Sequence, residues 1–206
     1  MFVWAELDGL ICSGATKGGK PTYALLEERV QKIKTYSKEE ALATLAKKYF
    51  NSRGPATIQD FAWWSGLPIR AANQALELVS SDFIAESTHS QTYWLPNSLA
   101  IPNDDQEMAY LLPAFDEFII SYKNRSASLS FSDHNKAVSS NGIFRPVIVV
   151  NGQVWGIWKR FIKKDEVFIE VQLFRQPDKH TKSLIEAASI RYGQFLNKKP
   201  VIIFKT

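Results

Sequence analysis

The chain has very few of the residues that build disulfide frameworks, metal sites or membrane spans. Its 206 residues include one cysteine and three histidines, so no intrachain disulfide can form and no zinc-ligand spacing exists. No apolar run approaches the roughly 18 residues that a membrane helix needs. The first twelve residues carry two acids and no basic segment, unlike a secretion signal. The sequence therefore predicts a cytoplasmic protein without a metal, a cofactor or a membrane partner.

Charge of one sign is not in large excess. Lysine and arginine total 25 against 21 acids, which gives a formal net charge of +4. This excess permits a polyanionic partner without demonstrating one. With 45% apolar and 22% charged residues, the composition is typical of an ordinary folded chain, long enough for one large domain or two small ones.

Two capping patterns mark the starts of helices. Ser37 with Glu40, and Thr57 with Asp60, each place a hydroxyl three residues before an acid, as in a capping box. Apolar residues then recur at helical spacing. We expect a helix to begin after each hydroxyl residue.

Helix-terminating glycine and proline residues and a predicted β-hairpin complete this region. The first helix is predicted to stop at Gly54-Pro55, the second at Gly66, and a third to begin near Pro68. Residues 83–95 are predicted to form two strands around a polar turn. Three helices followed by a hairpin is the order of a winged helix-turn-helix domain, which we place at residues 37–96.

An earlier hairpin is predicted at residues 8–27, where alternating residues are interrupted by glycines. A two-stranded hairpin is marginal alone, and no helix is predicted before it. We interpret residues 1–36 as the residual wing of a missing upstream winged helix.

The remainder, residues 97–206, is predicted to be a β-rich domain. Residues 97–106 form its linker and the Ser-rich residues 127–141 a loop. The other predicted elements are strands 144–150, 154–161 and 167–174, an amphipathic helix 181–196 with Leu184, Ala188, Tyr192 and Phe195 as its apolar stripe, and a closing strand 201–204. The predicted class is α+β, with a winged helix followed by a barrel-like or sandwich unit with a helix.

The predicted third helix carries candidate DNA-reading residues. A recognition helix places polar side chains in the major groove, where Arg pairs with guanine and Asn or Gln with adenine. Arg70, Asn73 and Gln74 occupy such positions. The alternative is that they are only the solvated side of an amphipathic helix.

Other cations are candidates for contacts with DNA phosphates, which supply most non-specific affinity. They are Lys17, Lys20, Lys123, Arg125, Lys159, Arg160, Lys163 and Lys164. For the last four, the alternative is that they keep an exposed edge strand from pairing with another chain.

One acidic pair and one aromatic pair have competing interpretations. Asp116 and Glu117 lie in an apolar segment, but no His, Cys or Ser adjoins them; we expect a helix cap or an ion pair with Lys123 or Arg125 rather than catalysis. Of Trp63 and Trp64, one is expected in the core and the other against the neighbouring unit, with base stacking as the alternative.

Five segments resemble one known family, the winged-helix proteins that include the AlkZ- or YcaQ-type DNA glycosylases. They are ELDGLICSG, TYALLEERV, NSRGPATIQDFAWWSGLPIRAANQAL, LLPAFDEFIISYKNRS and NGIFRPVIVVNGQVWGIWKR. The resemblance is to the C-terminal half of that family. It implies tandem winged helices joined to a β-barrel around a DNA channel, and excision of alkylated or crosslinked bases.

The resemblance carries over no catalytic residue. It assigns catalysis to two glutamines one residue apart in the N-terminal portion, and no two glutamines of this chain have that spacing. We therefore expect a DNA-binding protein, with intact or damaged duplex as its partner and no excision activity alone. An upstream domain or a protein partner would complete the fold. The alternatives are a transcription regulator that reads a defined site, and a winged helix used for protein interaction.

Overall fold

The computed structural model describes residues 2–30, 35–88, 90–98 and 106–205. They divide into two compact units, one up to Ala41 and one from Leu42 onward. Among these residues, no helix is long and apolar enough to cross a membrane. The helices are α1 (Phe2–Leu7), α2 (Leu26–Arg29), α3 (Lys38–Arg53), α4 (Ile58–Ser65), α5 (Ile69–Glu77), α6 (Glu117–Ile120), α7 (His134–Ala137) and α8 (Lys179–Phe195).

Nine strands accompany these helices in the described part of the chain. They are β1 (Ile11–Ser13), β2 (Tyr23–Leu25), β3 (Phe83–Thr88), β4 (Gln91–Pro96), β5 (Ala109–Leu112), β6 (Val147–Val150), β7 (Gln153–Lys163), β8 (Glu166–Leu173) and β9 (Lys199–Lys205). Most of the predicted linker, namely residues 99–105, lies outside the described residues.

The first unit contains the predicted hairpin, formed by β1 and β2 in antiparallel register. The expectation that no helix accompanies it was wrong. In α1, Phe2 stacks on Tyr23 with ring centroids 4.7 Å apart, and α2 follows β2 directly, with Leu26 N donating to Leu10 O at 3.0 Å. Both helices are too short for an apolar period to show in the sequence.

The capping predictions for α3 and α4 are confirmed. Ser37 N donates to Glu40 Oε2 at 2.8 Å and Glu40 N to Ser37 Oγ at 3.2 Å. Thr57 and Asp60 form the same reciprocal pair at the start of α4. That helix ends at Gly66, whose φ of 70° suits a residue without a Cβ. Local hydrogen bonds thus determine where these helices begin and end.

The hairpin of β3 and β4 packs beside the three helices. Its strands are antiparallel over their whole length. In β4, Trp94 exchanges two backbone hydrogen bonds with Ala56, at 3.1 and 2.8 Å, which joins the hairpin to the segment between α3 and α4. The shared core consists of Ala46, Tyr49, Phe50, Ala56, Phe61, Ala72, Ala75, Leu76, Val79 and Phe83.

The remaining strands form one open five-stranded sheet in the order β5-β6-β7-β8-β9. The predicted meander of β6 to β8 is confirmed, with a tight turn at Asn151-Gly152, where both φ angles are positive. The barrel-like prediction was wrong, because in the described part of the chain β9 pairs in parallel with β8 alone and the sheet does not close. The connection through α8 returns the chain to the same end of the sheet, which imposes the parallel direction.

The apolar stripe of α8 differs from the prediction. Ala188 is buried and Leu184 and Tyr192 are half-buried, but Phe195 is 83% exposed. Ile185, which the predicted stripe lacks, is completely buried against the sheet. The face of α8 that packs on the sheet is therefore rotated slightly about the helix axis relative to the predicted stripe. The sequence of the helix alone does not fix its orientation on the sheet.

The predicted Ser-rich loop contains two short helical segments. It contains a 3₁₀ turn at Phe131–Asp133 and helix α7. Ser130 starts the turn by accepting from Asp133 N at 3.2 Å. These short helices bring Ala137 and Val138 onto the sheet face opposite α8.

Candidate nucleic-acid interface

The polar side chains of α5 are exposed together. Arg70, Asn73 and Gln74 are all exposed, while Ala72, Ala75 and Leu76 on the other side of the helix are buried. Arg70 and Gln74 lie one helical turn apart. The Asn73 amide donates to the Ile69 carbonyl at 3.0 Å, so Asn73 is bonded to its own helix in this structure. This surface of α5 is open to a partner.

A buried carboxylate positions the helices that precede α5. Asp60 is 2% exposed. Its Oδ2 accepts from Thr57 N at 3.0 Å and Thr57 Oγ1 at 2.7 Å. Its Oδ1 accepts from Lys123 N at 2.8 Å and Asn124 N at 3.1 Å. Four donors compensate the loss of water around this charge. The same carboxylate thus caps α4 and anchors the segment after α6.

A second polar cluster joins α3 and α4 to α6. Glu117 Oε2 accepts from Ser121 Oγ at 2.5 Å, Arg53 Nη2 at 2.9 Å and Trp64 Nε1 at 3.0 Å. These hydrogen bonds, the one from Ser121 foremost, hold the pKa of the Glu117 carboxyl below its ordinary value. Asp116 caps α6 by accepting from Phe118 N at 2.9 Å. Both acids therefore have structural partners, and Glu117 pairs with Arg53 rather than with the cations predicted for it.

The two tryptophans divide their roles as the sequence suggested. Trp64 packs against Tyr49 of the core, with ring centroids 5.1 Å apart. Trp63 is 51% exposed, and its Nε1 donates to Ile120 O at 3.0 Å. Trp63 thus contacts the segment that begins the second half of the chain.

Two predicted phosphate contacts, Lys123 and Arg125, lie in different environments. The Lys123 side chain is exposed. The Arg125 guanidinium lies 5.4 Å from the ring centroid of Trp63 and 5.0 Å from that of Phe144, and its Nε donates to Ile119 O at 2.8 Å. Burial lowers the pKa of this guanidinium from its ordinary value. Arg125 is thus half-buried against two aromatic rings, which leaves Lys123 as the more accessible cation of the pair.

The four cations at the end of β7 do not share one face. Lys159, Arg160, Lys163 and Lys164 are all exposed. Alternation along a strand places Lys159 and Lys163 on one face and Arg160 on the other. Arg160 lies 5.6 Å from the ring centroid of Tyr192, on the side covered by α8. Lys164 occupies the turn to β8 with a φ of 53°.

In the first unit, Lys17 and Lys20 flank the tip of the hairpin. They form a bridge through two backbone hydrogen bonds, at 3.0 and 3.1 Å. Both side chains are exposed, as phosphate contacts require.

Sequence reasoning missed two further lysines. Lys199 and Lys205 lie on β9, and their register partners on β8 are Glu166 and Gln172. Both lysines are exposed. The two lysines flank a continuous apolar run, residues 200–204. That pattern shows which face the lysines share only once β9 is known to lie beside β8.

The chain belongs to the AlkZ-like DNA glycosylase family, whose model matches residues 2–195. It is similar to the interstrand DNA cross-link repair glycosylase of Streptomyces sahachiroi, with 26% identity over 162 residues, which are 73% of this chain and 43% of that protein. The solved structure of Streptomyces sahachiroi DNA glycosylase AlkZ matches 95% of this chain with a TM-score of 0.72 and 20% identity.

These relatives are much longer than this chain. It covers 55% of the solved structure and 43% of the curated protein, so it spans about half of their length. The structural likeness establishes a shared mixed α and β fold.

We expect Asp60→Asn to lower the free energy of unfolding by roughly 2–4 kcal/mol, because an amide NH₂ would face N–H donors that the carboxylate now satisfies. Urea unfolding followed by circular dichroism measures this. Asp82→Asn is the matched control, because Asp82 is exposed and its carboxylate forms a surface ion pair with Lys47 at 2.8 Å; this change should cost less than about 1 kcal/mol. Equal effects of the two changes would contradict the anchoring role of Asp60.

Lowering the pH should reduce the stability that the hydrogen bonds of Glu117 contribute to the fold. Because its folded pKa is below the ordinary 4.5, Glu117 stabilises the fold above that pH, and the contribution is lost as pH falls through the folded value. Glu117→Gln should lower the urea midpoint near pH ~7 and progressively less below pH ~4. The side chain is half-exposed, so the loss should not exceed about 1 kcal/mol. Glu86→Gln on β3 is the control, and a pH-independent difference would contradict the assignment.

Proposed function

We propose that this chain is a DNA-binding protein of DNA repair, in which residues 37–96 act as a winged helix and residues 97–206 as a second, β-rich domain. In this proposal α5 is the recognition helix and the hairpin of β3 and β4 is the wing. The observation that carries it is the exposed set Arg70, Asn73 and Gln74 on a helix that follows a tight turn. Family membership supports the link to DNA repair.

Binding is proposed to depend mainly on phosphate contacts, with weak sequence preference. On α5, the positive charge of Arg70 is opposed by Glu77, which would repel phosphate. Hydrogen bonds from α5 to base edges therefore give little affinity by themselves. Phosphate contacts come from the exposed lysines of the hairpins and turns. They are Lys17, Lys20, Lys123, Lys159, Lys163 and Lys164. Damaged duplex is the proposed substrate class, since both relatives are described as DNA glycosylases.

The chain alone is proposed to lack excision activity. The resemblance assigns catalysis to two glutamines one residue apart, and the sequence contains no such pair. Asp116 and Glu117 are engaged in a helix cap and an ion pair. The correspondence of this chain to the C-terminal part of its longer relatives is part of this proposal.

Replacing Arg70 by alanine should weaken duplex binding by about tenfold and make the salt dependence shallower by about one counterion, because one cation leaves the contact surface. Fluorescence anisotropy with a labelled duplex at several salt concentrations measures both effects. Lys179→Ala is the matched control, because it removes an exposed cation at the start of α8 that the proposal does not use.

The same experiment separates the alternatives. An affinity that does not change with salt would contradict phosphate-dominated binding. Strong preference for one site by a dimer would favour a transcription regulator. Absence of duplex binding at low salt would favour protein interaction. With alkylated duplex we expect no release of free base, and abasic sites appearing with the purified chain would contradict the absence of catalysis.

A further inference from the structure

One face of the five-stranded sheet is apolar and uncovered near β9. Register places Phe161, Phe168 and Val201 side by side across three strands, with Ile203 two residues further along β9. We call these four residues, with the lysines around them, the open face. Phe161 is 46% and Ile203 36% exposed. Helix α8 covers the opposite side of the sheet, and the short helices of residues 131–137 cover β6 and the first part of β7, up to Ile157.

The two phenylalanines form a stacked pair. The Phe161 and Phe168 ring centroids are 4.6 Å apart and their planes differ by 3°. This distance is close to the usual spacing of neighbouring strands, about 4.8 Å, so both rings stand upright on the sheet. One side of the Phe161 ring is covered by Phe168.

The other side of the Phe161 ring faces the edge of the sheet. Along β7, pairing with β6 extends as far as Ile157. The next residue, Trp158, makes one further hydrogen bond on this side, from its N to Pro146 O at 3.2 Å. Beyond that point, β7 has no further strand partner on this side among the described residues. A planar aromatic group of a ligand can therefore stack on the free side of the Phe161 ring without displacing a strand.

Cations surround this aromatic pair. Four exposed lysines belong to the open face, namely Lys159, Lys163, Lys199 and Lys205. The acids on the same face are Glu166 and Glu170, which are the register partners of Lys163 and Lys159 on β7. Glu170 is bonded by Lys205 at 2.6 Å, and four lysines against two acids leave the face positively charged. Because residues two apart on a strand are about 7 Å apart, Lys159 and Lys163 lie on either side of Phe161. The face thus offers an aromatic plane between two positive charges.

We propose that the open face binds an unpaired DNA segment, with one base stacked on Phe161 and the flanking phosphates bound by Lys159 and Lys163. Aromatic side chains on a positively charged surface are the usual means of binding single strands. Paired bases are stacked on each other and offer no free plane to Phe161, so duplex does not satisfy this site. The proposal rests on the DNA-binding function proposed above, and assigns two of its phosphate contacts, Lys159 and Lys163, to an unpaired strand.

The cationic border argues against a protein as the occupant of this face. Lys159 and Lys163 lie two residues from Phe161 on the same strand face, so both would fall near the centre of a protein contact made by that ring, where interfaces between proteins are depleted of lysine. Phosphates on both sides of a stacked base complement that arrangement of charge.

The test compares a labelled thymidine oligomer of about 12 nucleotides, within the usual site size, with a duplex of equal length. Phe161→Ala and Phe161→Leu should weaken binding of the single strand about tenfold, because both remove the aromatic plane, while Phe161→Tyr should retain it. Phe195→Ala is the matched control, since Phe195 is 83% exposed at the end of α8, the helix that packs on the opposite side of the sheet, and should change nothing. Duplex affinity should change by less than about twofold in the Phe161 variants.

A second measurement needs no variant. Photo-crosslinking of the wild-type chain to an iodouracil-containing oligomer, followed by mass spectrometry, should map the adduct to residues 159–168. An adduct confined to α5, or unchanged single-strand affinity in Phe161→Ala, would overturn the inference and leave the duplex proposal standing. Single-strand binding through Phe161 without any duplex binding would support this site and contradict the duplex proposal. A dimer that dissociates in Phe161→Ala by sedimentation would show a second copy on this face instead, and would also overturn it.

Discussion

The arrangement of the larger unit depends on the buried carboxylate of Asp60. A charge removed from water is tolerated only where donors replace the lost hydration, and here two come from Thr57 and two from the backbone after α6. The start of α4 and the segment leading into the sheet are therefore held by one group. Because α5 follows α4 through a tight turn, the orientation of its exposed polar side relative to the core follows from the same contact.

Adjacent cations in this sequence serve different surfaces. Strand alternation sends Arg160 towards Tyr192 under α8, while Lys159 and Lys163 lie on the opposite, uncovered side. Arg125, two residues after the exposed Lys123, packs between two aromatic rings. A count of positive charge along the chain therefore overstates the number of cations that one partner can contact, and only the structure separates the two groups.

Features set by neighbouring residues could be predicted from the sequence, and features set by distant ones could not. The boxes at Ser37 and Thr57 and the turn at Asn151 depend on local hydrogen bonds and backbone angles, so the limits of α3, α4 and the β6-β7 hairpin were predictable. The open sheet was not, because the place of β9 depends on a crossover through α8. Arg125 was assigned to DNA because Phe144 and Trp63, which enclose it, lie far away in sequence. The exposed positions of α5 followed from helical periodicity, whereas their use as a winged helix remains a proposal.

The parallel pairing of β8 with β9 also determines when the sheet can be completed. The hairpins of β6, β7 and β8 close over short turns, but β9 reaches β8 only across the whole of α8, so this pairing is far less local than those two hairpins. During synthesis on the ribosome, β8 therefore remains an outer strand until β9 has been translated and released from the exit tunnel. Glu166 and Glu170 on β8 place negative charge on that temporary edge, which disfavours its pairing with the same strand of another nascent chain.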